Sequence, residues 1–206
     1  FILVHKFHGK HDVIISLLVL AYSMIPFFMV FEGRHPQARE IMVIAVMAAL
    51  GVAGRSAFFM IGSFKPIAAI VIITGVSLGG EAGFLCACLI MMISNMFFGQ
   101  GPWTPFQMFS WGILGFLAGL LAQPLKKSRI ALALYAVFSG VLYSFLMDVW
   151  TVLWADGYFN ISRYLAALAS AVPFTVVYAA SNVVFLLLFA RPIGKILTRI
   201  KTKYAL

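Results

Sequence analysis

The chain has 206 residues, of which 63% are hydrophobic and 10% charged, with a formal net charge of +9. A soluble domain carries about 25% charged residues, and a chain this apolar has too little polar surface to cover itself, which excludes a soluble fold. The length allows about six or seven helical spans of roughly 20 residues and no separate soluble domain, and the positive charge, placed at the ends of apolar runs, speaks for topology and lipid headgroups rather than nucleic acid.

The first apolar run covers residues 13–31, with Pro26 as an expected kink. It ends in Phe31-Glu32-Gly33-Arg34, which is no small-residue cleavage site, so it reads as a retained helix and not a leader. A polar link leads to the second run, residues 41–60, which contains Arg55. Lys65-Pro66 opens a short third run, and Gly79-Gly80 suits its tight stop at Leu78. Further runs occupy 82–98, 106–122, 130–154 and 164–190. Between them lie a turn-rich loop at 99–105, a basic loop at 123–129 and a link at 155–163. A basic tail ends the chain. The runs are apolar at odd and even positions alike, which disfavours a membrane barrel. The expected fold is all-α. It is one transmembrane domain, with six core helices in residues 39–206 and an extra N-terminal helix and link in residues 1–38. The third run is shorter than a standard span, and is expected to be tilted, broken or buried among its neighbours.

Charge orients the six core runs. Arg34 and Arg39, then Lys126, Lys127 and Arg129, then Arg191, Lys195, Arg199, Lys201 and Lys203 all fall on one side if each run crosses once. That side is expected to be cytoplasmic, with the C-terminus on it. The opposite side receives Arg55, Lys65 and Arg163. A crossing by the first run puts Lys6 and Lys10 outside, together with His5, His8 and His11; a helix lying along the interface is the alternative.

The outer loops are rich in aromatic and amide groups. Broad aromatic faces with a few directed hydrogen-bond groups suit a cavity for a bulky organic ligand, although an interfacial aromatic belt has the same composition. The candidate binding residues are Arg55, Asn95, Gln100, Trp103, Thr104, Gln107, Asp148, Trp154, Tyr158 and Asn160. Asp148 is a carboxylate within an apolar run, which is costly there; it either serves a ligand or pairs with Arg55. Glu81 reads as a helix N-terminal charge. Cys86 and Cys88 are two apart and point in different directions on a helix, so they read as packing residues and not as a disulfide or a metal site. Ala45, Ala49 and Ala53 form a smooth stripe that would let another helix approach, and Gly115 and Gly119 form a similar pair expected to pack within the protein.

No Walker loop, nucleophile elbow, HExxH or paired carboxylates occur, and no set of buried charges would relay protons. A non-catalytic binding protein with no intrinsic cofactor or metal is therefore expected, one that works with partners. The competing classes are a self-contained secondary transporter and an intramembrane enzyme. All four histidines lie in the first 35 residues, away from the core, which counts against the enzyme.

From Arg39 to the C-terminus the chain resembles the substrate-binding (S) component of an energy-coupling factor (ECF) vitamin transporter. The resemblance rests on the six spans, the Ala45-Ala49-Ala53 stripe in the family's first helix, and Gly99-Gln100-Gly101-Pro102-Trp103-Thr104-Pro105 before its fourth. It implies a multi-pass subunit of the prokaryotic plasma membrane that binds a vitamin from outside with high affinity. Such a subunit docks through the alanine stripe on a transmembrane coupling subunit carrying two cytoplasmic ATPases, which use ATP and Mg. The extra N-terminal run departs from that pattern. The 99–105 loop most resembles cobalamin-type members, so a corrinoid is the first expectation for the ligand, ahead of riboflavin and a queuosine precursor. A corrinoid is broad and fringed with amides, compatible with Asn95, Gln100, Gln107 and Asn160, whereas dianionic folate would favour clustered arginines.

Overall fold

The computed structural model describes residues 11–204. The expectations for His5, Lys6, His8 and Lys10, and for the side chain of His11, fall outside the described residues. Within them the helices are α1 (His11–Gly33), α2 (Ala38–Ala57), α3 (Ile67–Leu78), α4 (Gly80–Phe98), α5 (Thr104–Leu120), α6 (Ala122–Lys127), α7 (Arg129–Asp156) and α8 (Ile161–Tyr204). A single 3-10 turn, Phe59–Ile61, follows α2. No strand occurs among the described residues, and the chain is an all-α bundle as expected. Helices α1, α2, α4, α7 and α8 are each long and apolar enough to cross a membrane.

Helix α3 is the centre of the bundle. It has only 12 residues, about 18 Å at 1.5 Å per residue, against a hydrocarbon core of about 30 Å. All of it from Ile67 to Gly75 is buried, which suits a sequence apolar there except for Thr74, whose hydroxyl donates to Ile70 O at 2.8 Å. Protein, not lipid, surrounds its ends, and such burial is what permits a short element at membrane depth.

Helices α3, α4 and α5 pack through glycine. A Cβ on Gly83 of α4 would lie 2.7 Å from the Cα of Gly75 and 2.8 Å from the Gly115 carbonyl oxygen. One on Gly75 would strike the same carbonyl, and one on Gly119 would strike the backbone of Gly80. The Gly115–Gly119 pair thus packs inside the protein, as expected. Cys86 and Cys88 are buried and free in α4, and Glu81 lies in that helix's first turn, 3.2 Å from Arg34.

Helices α7 and α8 form a long hairpin. Asn182 Nδ2 donates to Ser139 Oγ at 3.0 Å, and Thr175 Oγ1 donates to Ser144 Oγ at 2.6 Å. Gly140 lies against the backbone of Ala179. The turn between α2 and α3 is tied to this hairpin partway along it. Lys65 N donates to Ser181 Oγ at 2.9 Å, and that hydroxyl donates back to Lys65 O at 3.0 Å. Beyond that level α7 continues from Gly140 to Asp156, about 24 Å further, beside the starts of α1 and α5.

Helix α1 runs along the bundle from end to end. Val13 shares a cluster with Phe106, Trp150 and Leu153. Phe27 stacks on Phe84 at 4.1 Å, and Arg34 just past the helix bridges Glu40 and Glu81. Pro26 sits inside the helix without ending it.

Three boundaries differ from the sequence reading. The basic stretch 123–129 is not a loop: it is mostly α6, anchored by buried Leu125, with Lys126 and Lys127 in the last turn where cations suit the helix dipole. Pro66 stands just before α3, not within its first turn. The basic tail is not separate from the last run. Helix α8 continues unbroken through 44 residues to Tyr204. Lysine and arginine are good helix formers, Leu197 is buried, and Tyr204 lies under Arg39 at 4.7 Å.

Candidate functional site

At the amide-rich end Arg55, Ser94, Asn95, Gln100, Thr104 and Gln107 form one hydrogen-bonded chain. Arg55, at the last turn of α2, donates through Nη1 to Ser94 Oγ at 2.5 Å and to Asn95 Oδ1 at 2.7 Å on α4. Asn95 Nδ2 donates to Thr104 Oγ1 at 2.9 Å and to Gln107 Oε1 at 2.8 Å on α5. Thr104 Oγ1 donates to Gln100 Oε1 at 2.9 Å, and Gln100 Nε2 donates to Met92 O at 3.0 Å. Asn95 is fully buried and uses both ends of its amide, so the network has one rotamer to adopt. Gly99 turns the chain there at a φ of 107°, open only to glycine at low cost. Trp103 folds its ring over Gly101, so a Cβ at that glycine would collide with the indole.

Beneath the network is a cavity of about 80 Å³ lined by Arg55, Lys65, Ile67, Met91, Gln107, Trp111, Tyr143 and Tyr178. These residues come from α2, the turn before α3, α3, α4, α5, α7 and α8, so every long helix except α1 contributes. Trp111 stacks on Tyr143 at 4.1 Å, and Tyr178 meets Tyr143 edge-on at 5.1 Å. Two cations therefore face three aromatic rings and an amide. Lys65 lies in the turn before α3, where burial, and secondly the nearby Arg55 cation, hold its ammonium below the usual lysine value. Such a cavity sets aromatic faces beside cationic and amide hydrogen-bond donors, an arrangement suited to a planar ring bearing carbonyl or anionic oxygens.

The ten sequence candidates divide into three groups. Arg55, Asn95, Gln100, Thr104 and Gln107 form the network, and two of them reach the cavity. Trp103 and Trp154 belong instead to the cluster around Trp150 that receives α1, with Trp154 stacked on Trp150 at 5.2 Å. Asp148, Tyr158 and Asn160 lie apart from the cavity. Asn160 Oδ1 accepts from the backbone N–H groups of Ser162 and Arg163 at 3.0 and 3.2 Å, capping α8. Tyr158 is exposed. Asp148 does not pair with Arg55, whose guanidinium is taken up by Ser94, Asn95 and the Phe98 ring at 5.2 Å. Its Oδ2 is buried and has no hydrogen-bond partner among the described residues. Lys65, Trp111, Tyr143 and Tyr178 line the cavity without having been among the candidates. A tyrosine hydroxyl inside an apolar run is the signal that marks the last two.

Ala45, Ala49 and Ala53 all lie exposed along α2, flanked by exposed Met42, Val46 and Leu50. The stripe is thus an uncovered face of the chain. No cluster of metal-ligating side chains occurs among the described residues.

Residues 36–199 match the family model described as ECF-type riboflavin transporter, S component. The match begins between α1 and α2. A UPF0397 protein of Aliivibrio salmonicida (strain LFI1238) is 32% identical over 147 residues, which covers 69% of this chain and 77% of that protein. No solved structure matches the chain.

Proposed function

The chain belongs to the family of ECF-type riboflavin transporter S components, and from that premise we propose that it holds a flat heteroaromatic vitamin of the riboflavin class in the cavity between Arg55 and Tyr178. A vitamin-binding membrane subunit of an ECF transporter is the coarser statement that family membership supports. The observation carrying the finer one is convergence: all the long core helices send a side chain to one slot, and that slot pairs a Trp111–Tyr143 stack with the Arg55 and Lys65 donors. Drug-sized ligands fill about 300–1,000 Å³. A cavity of about 80 Å³ therefore supports entry by the edge of a thin ring, with the turns at 58–66 and 99–103 parting to admit the rest. That favours riboflavin over the corrinoid to which the 99–105 loop points, because a macrocycle would need the helices themselves to separate.

In this reading the amide-rich end faces outward, the basic end and the C-terminus face the cytoplasm, and α1 is an additional crossing. The exposed alanine stripe receives a transmembrane coupling subunit, and two cytoplasmic ATPases using ATP and Mg supply the energy. Purified protein titrated with riboflavin, cobalamin and folate tests the ligand. Flavin fluorescence is expected to quench on binding, and Tyr143→Ala and Trp111→Ala are expected to weaken it by about 1–3 kcal/mol. Tight cobalamin binding without riboflavin binding would restore the corrinoid. Concentrative uptake by the lone subunit, driven by an ion gradient, would replace the subunit reading with a self-contained transporter.

A further inference from the structure

At the basic end, α3, α6, α7 and α8 enclose a second cleft, of about 370 Å³. Its rim carries Lys126 and Lys127 from α6, Arg129 from α7, and Arg191 and Lys195 from α8. Its wall toward the bundle is aliphatic, with Ile73 and Leu186 prominent. No carboxylate lines it. The ion pairs among the described residues use Arg34 and Arg163 instead, so the five rim cations repel one another with no internal compensation. The N-terminus of α7 opens here too. Ser128 Oγ caps the Ala131 N–H at 3.2 Å, and the positive end of a 28-residue helix adds to the field.

We propose that this cleft seats one anionic phospholipid, its phosphate on the cationic rim and an acyl chain against the aliphatic wall. Charge complementarity points to a phosphate, since arginine grips it in two-point fashion and lysine supplies point charge. The wall distinguishes a lipid from a soluble anion, because a free phosphate makes no use of aliphatic surface. Topology alone does not account for the arrangement. Arg199, Lys201 and Lys203 would orient the chain equally well, yet they lie further along α8 and outside the cleft. A basic pocket between membrane helices is the sort of place where anionic headgroups bind.

The test uses the full-length protein in nanodiscs of mixed phosphatidylglycerol and phosphatidylcholine, with bound lipid counted by native mass spectrometry after extraction. One phosphatidylglycerol per chain is expected, retained at least tenfold over phosphatidylcholine. Joint replacement Lys126→Gln, Lys127→Gln and Arg129→Gln is expected to abolish that preference. Arg191→Gln with Lys195→Gln provides an independent variant on another helix, expected to do the same. Lys201→Gln with Lys203→Gln is expected to leave the lipid in place. Equal retention of the two lipids overturns the proposal, as does loss of lipid in the tail variant. Displacement of the lipid by millimolar inorganic phosphate would make the cleft a soluble-anion site. Retained lipid with loss of a co-purifying coupling subunit would make it a protein interface.

Discussion

Helices α3, α4 and α5 and the α7–α8 hairpin are both close-packed helical units, but the balance of contacts that holds them differs. In the first, backbone meets backbone at Gly75, Gly83 and Gly115. In the second, side-chain hydrogen bonds from Asn182 and Thr175 lace the helices together. Close small-residue packing and interhelical hydrogen bonds are the main attractions available between helices in lipid, and this chain weights them differently in the two regions. The hairpin has one glycine contact, Gly140 on Ala179, and α4 and α5 share the Asn95 bonds at one end. The cavity lies on the seam between them. Ile67, Met91, Gln107 and Trp111 come from the glycine-packed unit, and Tyr143 and Tyr178 from the laced hairpin.

The contrast is testable, beginning with its largest expected effect. Gly83→Val puts three carbons where the Gly75 and Gly115 backbones already lie. It should cost about 3 kcal/mol, the upper end for overpacking, and a thermal unfolding curve should move down accordingly. An unchanged curve would mean that the three helices can separate freely. Asn95→Ala comes next. It leaves Arg55, Thr104 and Gln107 without their shared partner, a loss of about 1–3 kcal/mol, and titration should show weakened ligand binding alongside the lowered melting point. Weakened melting with intact affinity would detach the amide network from the binding site.

Asn182→Ala should cost about 0.6–1.7 kcal/mol, the range for hydrogen bonds between membrane helices. Hydrogen exchange should quicken in α7 and α8 and stay constant in α3 to α5. Acceleration in all five would erase the distinction between the two units. The smallest effect on the isolated chain belongs to Ala49→Leu on the exposed stripe, expected within about 0.5 kcal/mol of the parent. Its consequence should be seen instead in a pull-down of the coupling subunit. Undiminished assembly would assign the stripe to lipid.

The helices were legible because each apolar run is bounded by charge or by glycine. The core of the network was legible for a related reason. Asn95, Thr104 and Gln107 are polar groups in or beside apolar helices, where a polar group must find a partner. The aromatic half of the cavity was not. Tyr143 and Tyr178 sit among residues that read as ordinary span, and only the pairing of α7 with α8 brings them to Trp111. The place of Trp154 in the Trp150 cluster was not legible either, because that cluster includes Val13, which is more than a hundred residues distant in the chain and shares no pattern with it. The capping role of Asn160 could have been read, since asparagine two and three residues before Ser162 and Arg163 has the spacing of an N-cap. The extent of α8 was hidden by composition. Its charged end looks like a tail, although Ile193, Ile196, Leu197 and Ile200 keep a helical period facing α2.

A contact surface made of glycine backbone has no rotamers to exchange. Where leucines interdigitate, a helix can slide a little and its neighbours resettle into new staggered positions. At Gly75, Gly83 and Gly115 no such sorting is available, and any relative shift either opens a gap or drives a carbonyl into an α-carbon. Helices α3 to α5 therefore answer an arriving ligand as one block, and the adjustment that admits it falls to the parts free of that constraint: the turn carrying Lys65 and the hairpin to which Ser181 fastens it.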